Sequence, residues 1–308
     1  MVTGMCREIY FLFIPVPRTQ QTHYCMTEQP ITIYTPESVL ANPRKMLRDM
    51  FYDLAAGREL AWRLAVRDIS AQYRQTLLGF LWALILPLAN TLVWLFLSES
   101  GVISIKETVL PYPVYVFVGT MLWSIFMDAV NAPLQGTTAS KSMLAKINFP
   151  REAIIVSGVY QTIFSACIKL VLVLIAIAIL GITPGWGVLF IPFALLSLIM
   201  VGTAIGLLIT PIGLLYNDVG KAIPLLMQFM MYITPVVFPM PKEGLAAKLF
   251  IFNPITPLIL TGRDLLTGKV PEFLSYFIAV NLVTVMLFLV VWIIYRLAMP
   301  ILIERMSA

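Results

Sequence analysis

Six long apolar runs, at residues 78–97, 114–133, 153–180, 188–215, 223–240 and 273–298, constrain this chain more than any other feature. About 20 apolar residues cross a bilayer as a helix, whose backbone groups pair within the segment itself, so each run predicts one crossing. A soluble core cannot absorb so much apolar surface. The chain is 59% hydrophobic, has only 12% charged residues over 308 positions and a mean hydropathy of +0.89, whereas soluble domains are roughly a quarter charged. The stretch from Gly244 to Gly268 is also apolar, but Pro254, Pro257 and Gly262 cut it into pieces too short to span. It reads as re-entrant or interfacial helices ahead of the last span. The expected fold is an all-α integral membrane protein with six transmembrane helices over residues 77–308.

Two amphipathic helices are expected before the first span, in a cytoplasmic segment of residues 31–76. Asn42 caps the first and Pro43 opens it, and Leu47, Met50, Phe51 and Leu54 recur at helical spacing until Gly57. In the second, residues 58–76, Trp62, Val66, Ile69 and Tyr73 form one stripe beside Arg63, Arg67, Ser70 and Arg74. That arrangement suits a helix lying in the membrane surface, with packing on a soluble core as the alternative. Residues 1–30 read as an extension, either disordered or upstream of a start at Met26.

Charge sets the orientation. With both termini cytoplasmic, fifteen Lys and Arg residues lie on the inner side, and Lys106, Lys242, Lys248, Arg263 and Lys269 lie outside. The net charge of +5 therefore reads as membrane orientation; the cations form no tract suited to nucleic acid. Cys6, Cys25, Cys167 and the single His23 are too scattered for a disulfide framework or a metal centre.

No G-x-x-x-x-G-K-[ST], G-x-S-x-G, H-E-x-x-H or C-x-x-C occurs, so the chain is not expected to hydrolyse a nucleotide itself. Uphill transport would then draw on an ion gradient or on another polypeptide. Inside the spans, Asp128 and Lys169 are the informative charges. Counted from the span ends they stand at roughly 8 Å and 22 Å, so they are expected to act separately. Lys169 continues a polar face through Gly158, Gln161, Thr162 and Ser165, which suits either a wet pathway or a lysine reaching toward the outer interface. Between spans two and three, Lys141, Met143, Leu144, Lys146, Ile147, Asn148, Phe149, Pro150 and Arg151 form a short lysine-flanked apolar segment. It suits docking into a partner protein, or rest on lipid.

Several local motifs succeed one another in a recognisable order: R-D-I-S-A-Q-Y-R-Q-T-L-L-G-F-L-W-A at 67–83, N-F-P-R-E at 148–152, Y-N-D-V-G at 216–220, T-P-V-V-F-P at 234–239 and N-P-I-T-P at 253–257. With them the chain resembles the membrane subunits of type-2 ABC exporters of bacterial surface polysaccharides, the O-antigen, capsule and teichoic acid export family. Asn217 departs from that pattern, where an arginine is common. The resemblance implies a multi-pass protein of the bacterial inner membrane, acting as a dimer with two copies of a separate ATPase that uses ATP and Mg, and no cofactor on this chain. It further implies that Trp62, Arg63, Arg67, Asp68, Tyr73 and Arg74 belong to an interface helix and residues 140–151 to the ATPase-coupling segment. A sugar polymer needs aromatic faces for its C–H surfaces and partners for its hydroxyls. Asn90 with Trp94 on span one and Gln228 with Tyr232 on span five meet that need, with Lys169 as a further candidate; amide groups also serve as glue between helices. Arg63, Arg67 and Arg74 could hold a lipid diphosphate or anionic phospholipid. The expected function is export of a lipid-linked polysaccharide. The alternatives are an ABC-2 exporter of a drug or lipid, and a membrane enzyme acting on polyprenyl phosphate.

Overall fold

A computed structural model describes residues 43–74, 79–102, 110–146, 150–182, 185–241 and 243–307. The expected extension over residues 1–30 and the cap at Asn42 lie outside the described residues. Among the described residues all regular structure is helical. The elements are α1 (Pro43–Ala56), α2 (Arg58–Arg74), α3 (Trp82–Glu99), α4 (Tyr112–Ala139), α5 (Lys141–Lys146), α6 (Glu152–Ile179), α7 (Ile191–Leu215), α8 (Asn217–Tyr232), α9 (Leu245–Phe252), α10 (Ile255–Leu266) and α11 (Leu274–Ser307). The chain divides after Met46, and the helical bundle belongs to the unit Leu47–Ala308.

Helices α4, α6, α7 and α11 are long and apolar enough to cross a membrane; counting the α9–α10 pair, bent by 81°, as one span makes five candidates. This differs from the six full-length spans expected. The run 78–97 forms an 18-residue helix containing Pro87, and the run 223–240 supplies part of a 16-residue helix, α8. At 1.5 Å per residue α8 reaches only about 24 Å. Its chain leaves the helix at Tyr232 because Pro235 cannot continue it, and residue 234 is steered away from the α-region by the proline after it.

The core is built on α4, which is buried on nearly every side against α3, α6 and α7. Small residues permit the close α4–α7 crossing: Gly202 and Gly206, four apart, lie against Phe126, Ala129, Val130 and Pro133. A Cβ on Gly206 would collide with the Val130 carbonyl and with the Pro133 ring. Gly206→Ala is therefore expected to force the two helices apart, at a cost of about 1–3 kcal/mol. Thermal unfolding in detergent measures this, and an unchanged midpoint would contradict the packing.

Two threonines within the helices bond back to proline carbonyls one turn earlier. Thr91 Oγ1 donates to the Pro87 carbonyl at 2.8 Å, and Thr137 Oγ1 donates to the Pro133 carbonyl at 2.7 Å. Thr91 and Thr120 hydroxyls also meet at 3.3 Å, tying α3 to α4.

Candidate functional site

The residues expected to carry function fall into three levels of the bundle: a layer around α1, α2, α5 and the start of α6, a polar cluster deep inside, and a latch at the opposite end.

In the first layer, α2 packs along α6 through Ala61, Leu64 and Ala65, all buried. The stripe of Trp62 and Val66 that marked this helix in the sequence stays exposed. Small side chains let the backbones approach, so the helix turns its alanine face inward. Trp62 meets Tyr160 edge to face at 5.9 Å, and Gln161 Nε2 donates to Asp68 Oδ2 at 3.2 Å. Arg63 pairs with Glu59 at 2.6 Å and Arg67 with Asp68 at 2.7 Å, both on the surface, where such pairs add little to stability. Arg74 is exposed, and the Tyr73 side chain lies outside the described residues.

Helix α5 comes after α4 almost without a break, turned by the buried Ser140, whose carbonyl accepts from the Met143 and Leu144 amides. Lys141 and Ser142 are exposed, Met143 is half-buried, and Leu144 is buried. Leu144 thus faces its own bundle, where α5 meets α4 and α11, and the outward face of this helix is more polar than its composition suggested. The Lys146 side chain and residues Ile147, Asn148 and Phe149 lie outside the described residues, and Pro150 and Arg151, both half-buried, lead into α6.

Glu152, the last residue of N-F-P-R-E, is buried and accepts from Arg296 Nη1 at 2.6 Å, while Arg296 Nη2 donates to Asp53 Oδ2 at 2.7 Å. One guanidinium from α11 therefore joins α6 to α1. Its planar fork suits two carboxylates that a lysine could not hold together. Sequence spacing could not reveal this trio, whose members are far apart in the chain.

Deeper in the bundle, Lys169 Nζ donates to Asp128 Oδ2 at 2.6 Å and to Ser124 Oγ at 2.7 Å, and Ser165 Oγ donates to the same Asp128 oxygen at 2.7 Å. This corrects the expectation that Asp128 and Lys169 act separately. Two causes explain the difference. Helix α4 runs on to Ala139, which sets Asp128 about 16 Å from its end by helical rise. Side chains also lean toward the N-terminus of their own helix, so on antiparallel α4 and α6 the aspartate and the lysine lean toward each other. Lys169 is buried in this pair, so it is not an open cation on a wall.

At the third level two of the family-like motifs meet. The T-P-V-V-F-P strap, residues 234–239, is pinned from three directions. Arg263 of α10 donates through Nη2 to the Pro235 carbonyl at 2.8 Å and to the Val236 carbonyl at 2.9 Å. The Tyr115 hydroxyl lies 3.3 Å from the Pro235 oxygen and 3.2 Å from that of Phe238. Asn253 Nδ2 donates to Thr234 Oγ1 at 2.8 Å and to the Ile233 carbonyl at 3.3 Å, while Asn253 Oδ1 accepts from the Ile255 amide at 3.0 Å and so starts α10. The guanidinium carbon stands 3.6 Å from the centre of the Tyr115 ring, a cation–π contact inside the protein. Arg263 Nε and Nη1 have no hydrogen-bond partner among the described residues. Gly119 makes room for this, since a Cβ there would strike the Val236 carbonyl and the Arg263 guanidinium. Arg263 read in the sequence as an ordinary loop cation; its burial is a tertiary fact, hinted at only by the apolar residues around it.

Of the residues proposed for a channel wall, Trp94 and Tyr232 are brought together, with ring centroids 6.1 Å apart, and Trp94 also meets Phe238 at 5.4 Å. Trp94 is 9% exposed and Tyr232 40% exposed, so in one copy of the chain the tyrosine presents the open surface. Asn90 and Gln228 are exposed on α3 and α8.

No family model matches the chain. It is similar to the O-antigen export system permease protein RfbA of Myxococcus xanthus, at 24% identity over 205 residues, which cover 66% of this chain and 78% of that protein. It is also similar to the RfbA permease of Klebsiella pneumoniae, at 23% identity over 70% of this chain and 83% of the relative. A third relative is the polysialic acid transport protein KpsM of Escherichia coli, at 23% identity over 71% of this chain and 84% of the relative. With its helical apolar segments and the motif series that builds the latch, the chain resembles the multi-pass permeases of ABC-2-type polysaccharide export systems.

Proposed function

We propose that the chain is the permease half of an ATP-driven exporter that moves a lipid-linked, O-antigen-like polysaccharide across the bacterial cytoplasmic membrane. Two copies form the channel, and two copies of a separate ATPase bind ATP and Mg and dock at the segment from Lys141 to Arg151. The observation that carries this is the similarity to O-antigen export permeases across about two thirds of the chain and more than three quarters of the relatives. The absence of a P-loop motif in the sequence agrees with ATP hydrolysis on a partner.

We count six crossings: α3, α4, α6, α7, α8 with its strap, and α11, with α9 and α10 re-entrant. The strap supports this count because it carries the α8 chain as far as Tyr115, the fourth residue of α4. The basic residues favour cytoplasmic termini. In this reading α2 is the interface helix at the inner surface, where its exposed Trp62 and Val66 enter the lipid interface. Asn90, Gln228 and Tyr232 belong to the wall that a sugar chain passes, with Trp94 packed behind Tyr232.

The test is co-purification of the permease with its ATPase, then ATP hydrolysis with and without lipid-linked polymer. Lys141→Glu combined with Ser142→Glu reverses the charge of the exposed α5 face, and is expected to weaken association at least about tenfold, or 1.4 kcal/mol, while the membrane fold survives. Leu144→Asp instead places a charge in the permease's own interior and should lower its yield. If the wild-type chain associates with no ATPase, the proposed function is wrong.

A further inference from the structure

Along α4, Ser124, Asp128, Asn131, Gln135 and Thr138 recur at steps of four, three, four and three, which places them on one face of the helix. Their exposure grows toward the α5 end: the first three are half-buried, and Gln135 and Thr138 are exposed. The neighbouring face of α6 adds Gln161 and Ser165, both half-buried, and Asp68 of α2 binds Gln161 from the side. The outward face of α11 is unlike this one: Ile278, Leu282, Met286 and Leu289 present only apolar side chains.

A polar stripe of this kind cannot border lipid. The Asp128 side chain is 39% exposed, yet it lies within the apolar run of residues 114–133, roughly 8 Å from the end of that run by helical rise, where a carboxylate in contact with acyl chains is disfavoured. Pairing with Lys169 neutralises its charge without covering it. Asn131 spends its Nδ2 on the Met127 carbonyl at 2.9 Å, which leaves its amide oxygen as an acceptor. The stripe therefore offers hydroxyls and amides of both polarities. Among the described residues it offers no free cation, since Lys169 is committed to Asp128 and Ser124. That donor set fits water and the hydroxyl groups of neutral sugar units; the exposed Lys141 stands beyond the stripe, at its α5 end.

We infer that this face of α4 lines a water-filled vestibule open to the cytoplasmic side, closed at depth by the Lys169–Asp128 pair, in which a neutral polyhydroxylated chain exchanges hydrogen bonds with Asn131, Gln135 and Thr138. The sugar occupant and the orientation rest on the proposed function; the hydration of the stripe does not.

The experiment uses the permease–ATPase complex in inside-out vesicles, with Cys6, Cys25 and Cys167 replaced and single cysteines introduced by Asn131→Cys, Gln135→Cys, Thr138→Cys or, on the α11 face, Met286→Cys. The probe is a charged, membrane-impermeant maleimide. Because only a hydrated thiol ionises readily, the three α4 positions should react at least about tenfold faster than position 286. Reaction should slow in vesicles from cells that make the lipid-linked polymer, relative to cells that do not. Rates equal to that at position 286, or reaction only from the outer side, would overturn the vestibule. Fast reaction indifferent to the polymer would overturn the sugar occupant, and oxidative disulfides joining two copies through position 131 or 135 would show a contact between subunits instead. Association with the ATPase is scored on the same vesicles, so failure of the transport reading is seen separately from failure of the vestibule.

Discussion

Arg296→Met is expected to be among the most destabilising single substitutions in this chain. It leaves Glu152, buried at the start of α6, and Asp53 facing each other without the guanidinium that joins them. Breaking a buried pair costs about 3–5 kcal/mol, and the partial exposure of Arg296 and Asp53 brings the expected loss to about 2–4 kcal/mol. Arg296→Lys should recover only part of this, because one ammonium cannot reproduce the two-armed contact. Adding Glu152→Gln to Arg296→Met removes the stranded charge and should return about half of the loss. Thermal unfolding in detergent of the wild type, these three variants and Glu152→Gln alone gives the answer. Additive effects of the two substitutions would show that the pair is not coupled.

The second large effect is expected at the latch. Arg263→Met removes two charge-assisted hydrogen bonds to the strap carbonyls and the contact with the Tyr115 ring. Each such bond is worth about 1.5–3 kcal/mol, but the guanidinium is itself costly to bury with Nε and Nη1 unpaired, so the net destabilisation is expected to be only about 1–3 kcal/mol. The larger change is functional. Freed carbonyls let the strap and the α9–α10 pair shift against α4, and surface polymer should fall at least about tenfold at equal permease level, since misplacement by an ångström can cost about a hundredfold in rate. Tyr115→Phe, which loses one donor but keeps the ring, should do much less. Polymer blotting from cells carrying each variant decides, and full export by Arg263→Met would show that the latch does not order this end of the bundle.

The sequence was most informative where periodicity and punctuation act locally. The start of α1 at Pro43, the break at Gly57, the long runs of α4, α6, α7 and α11, and the Pro254 break that separates α9 from α10 can be read from residue type alone. The sequence was least informative where one helix chooses its neighbour. The stripe of Trp62 and Val66 was legible on α2, but not the other face, where Ala61 and Ala65 allow a close approach to α6. Distances counted from guessed span ends separated Asp128 from Lys169, whereas the direction of side chains on antiparallel helices joins them. Arg263 carries the same charge as any loop arginine, and only the meeting of two distant motifs makes it a clamp.

The short reach of α8 has a consequence for the lipid beside it. The 16-residue α8 and the α9–α10 pair, bent by 81°, present less apolar length to lipid than the roughly 30 Å of an ordinary hydrocarbon core, because the strap that continues α8 is buried from Thr234 to Val237. The bilayer on this flank must compress to meet them, at a cost of fractions of a kcal/mol per Å of mismatch. Shorter acyl chains relieve that strain, so they should gather along this flank, and activity in reconstituted membranes should rise as acyl length is reduced.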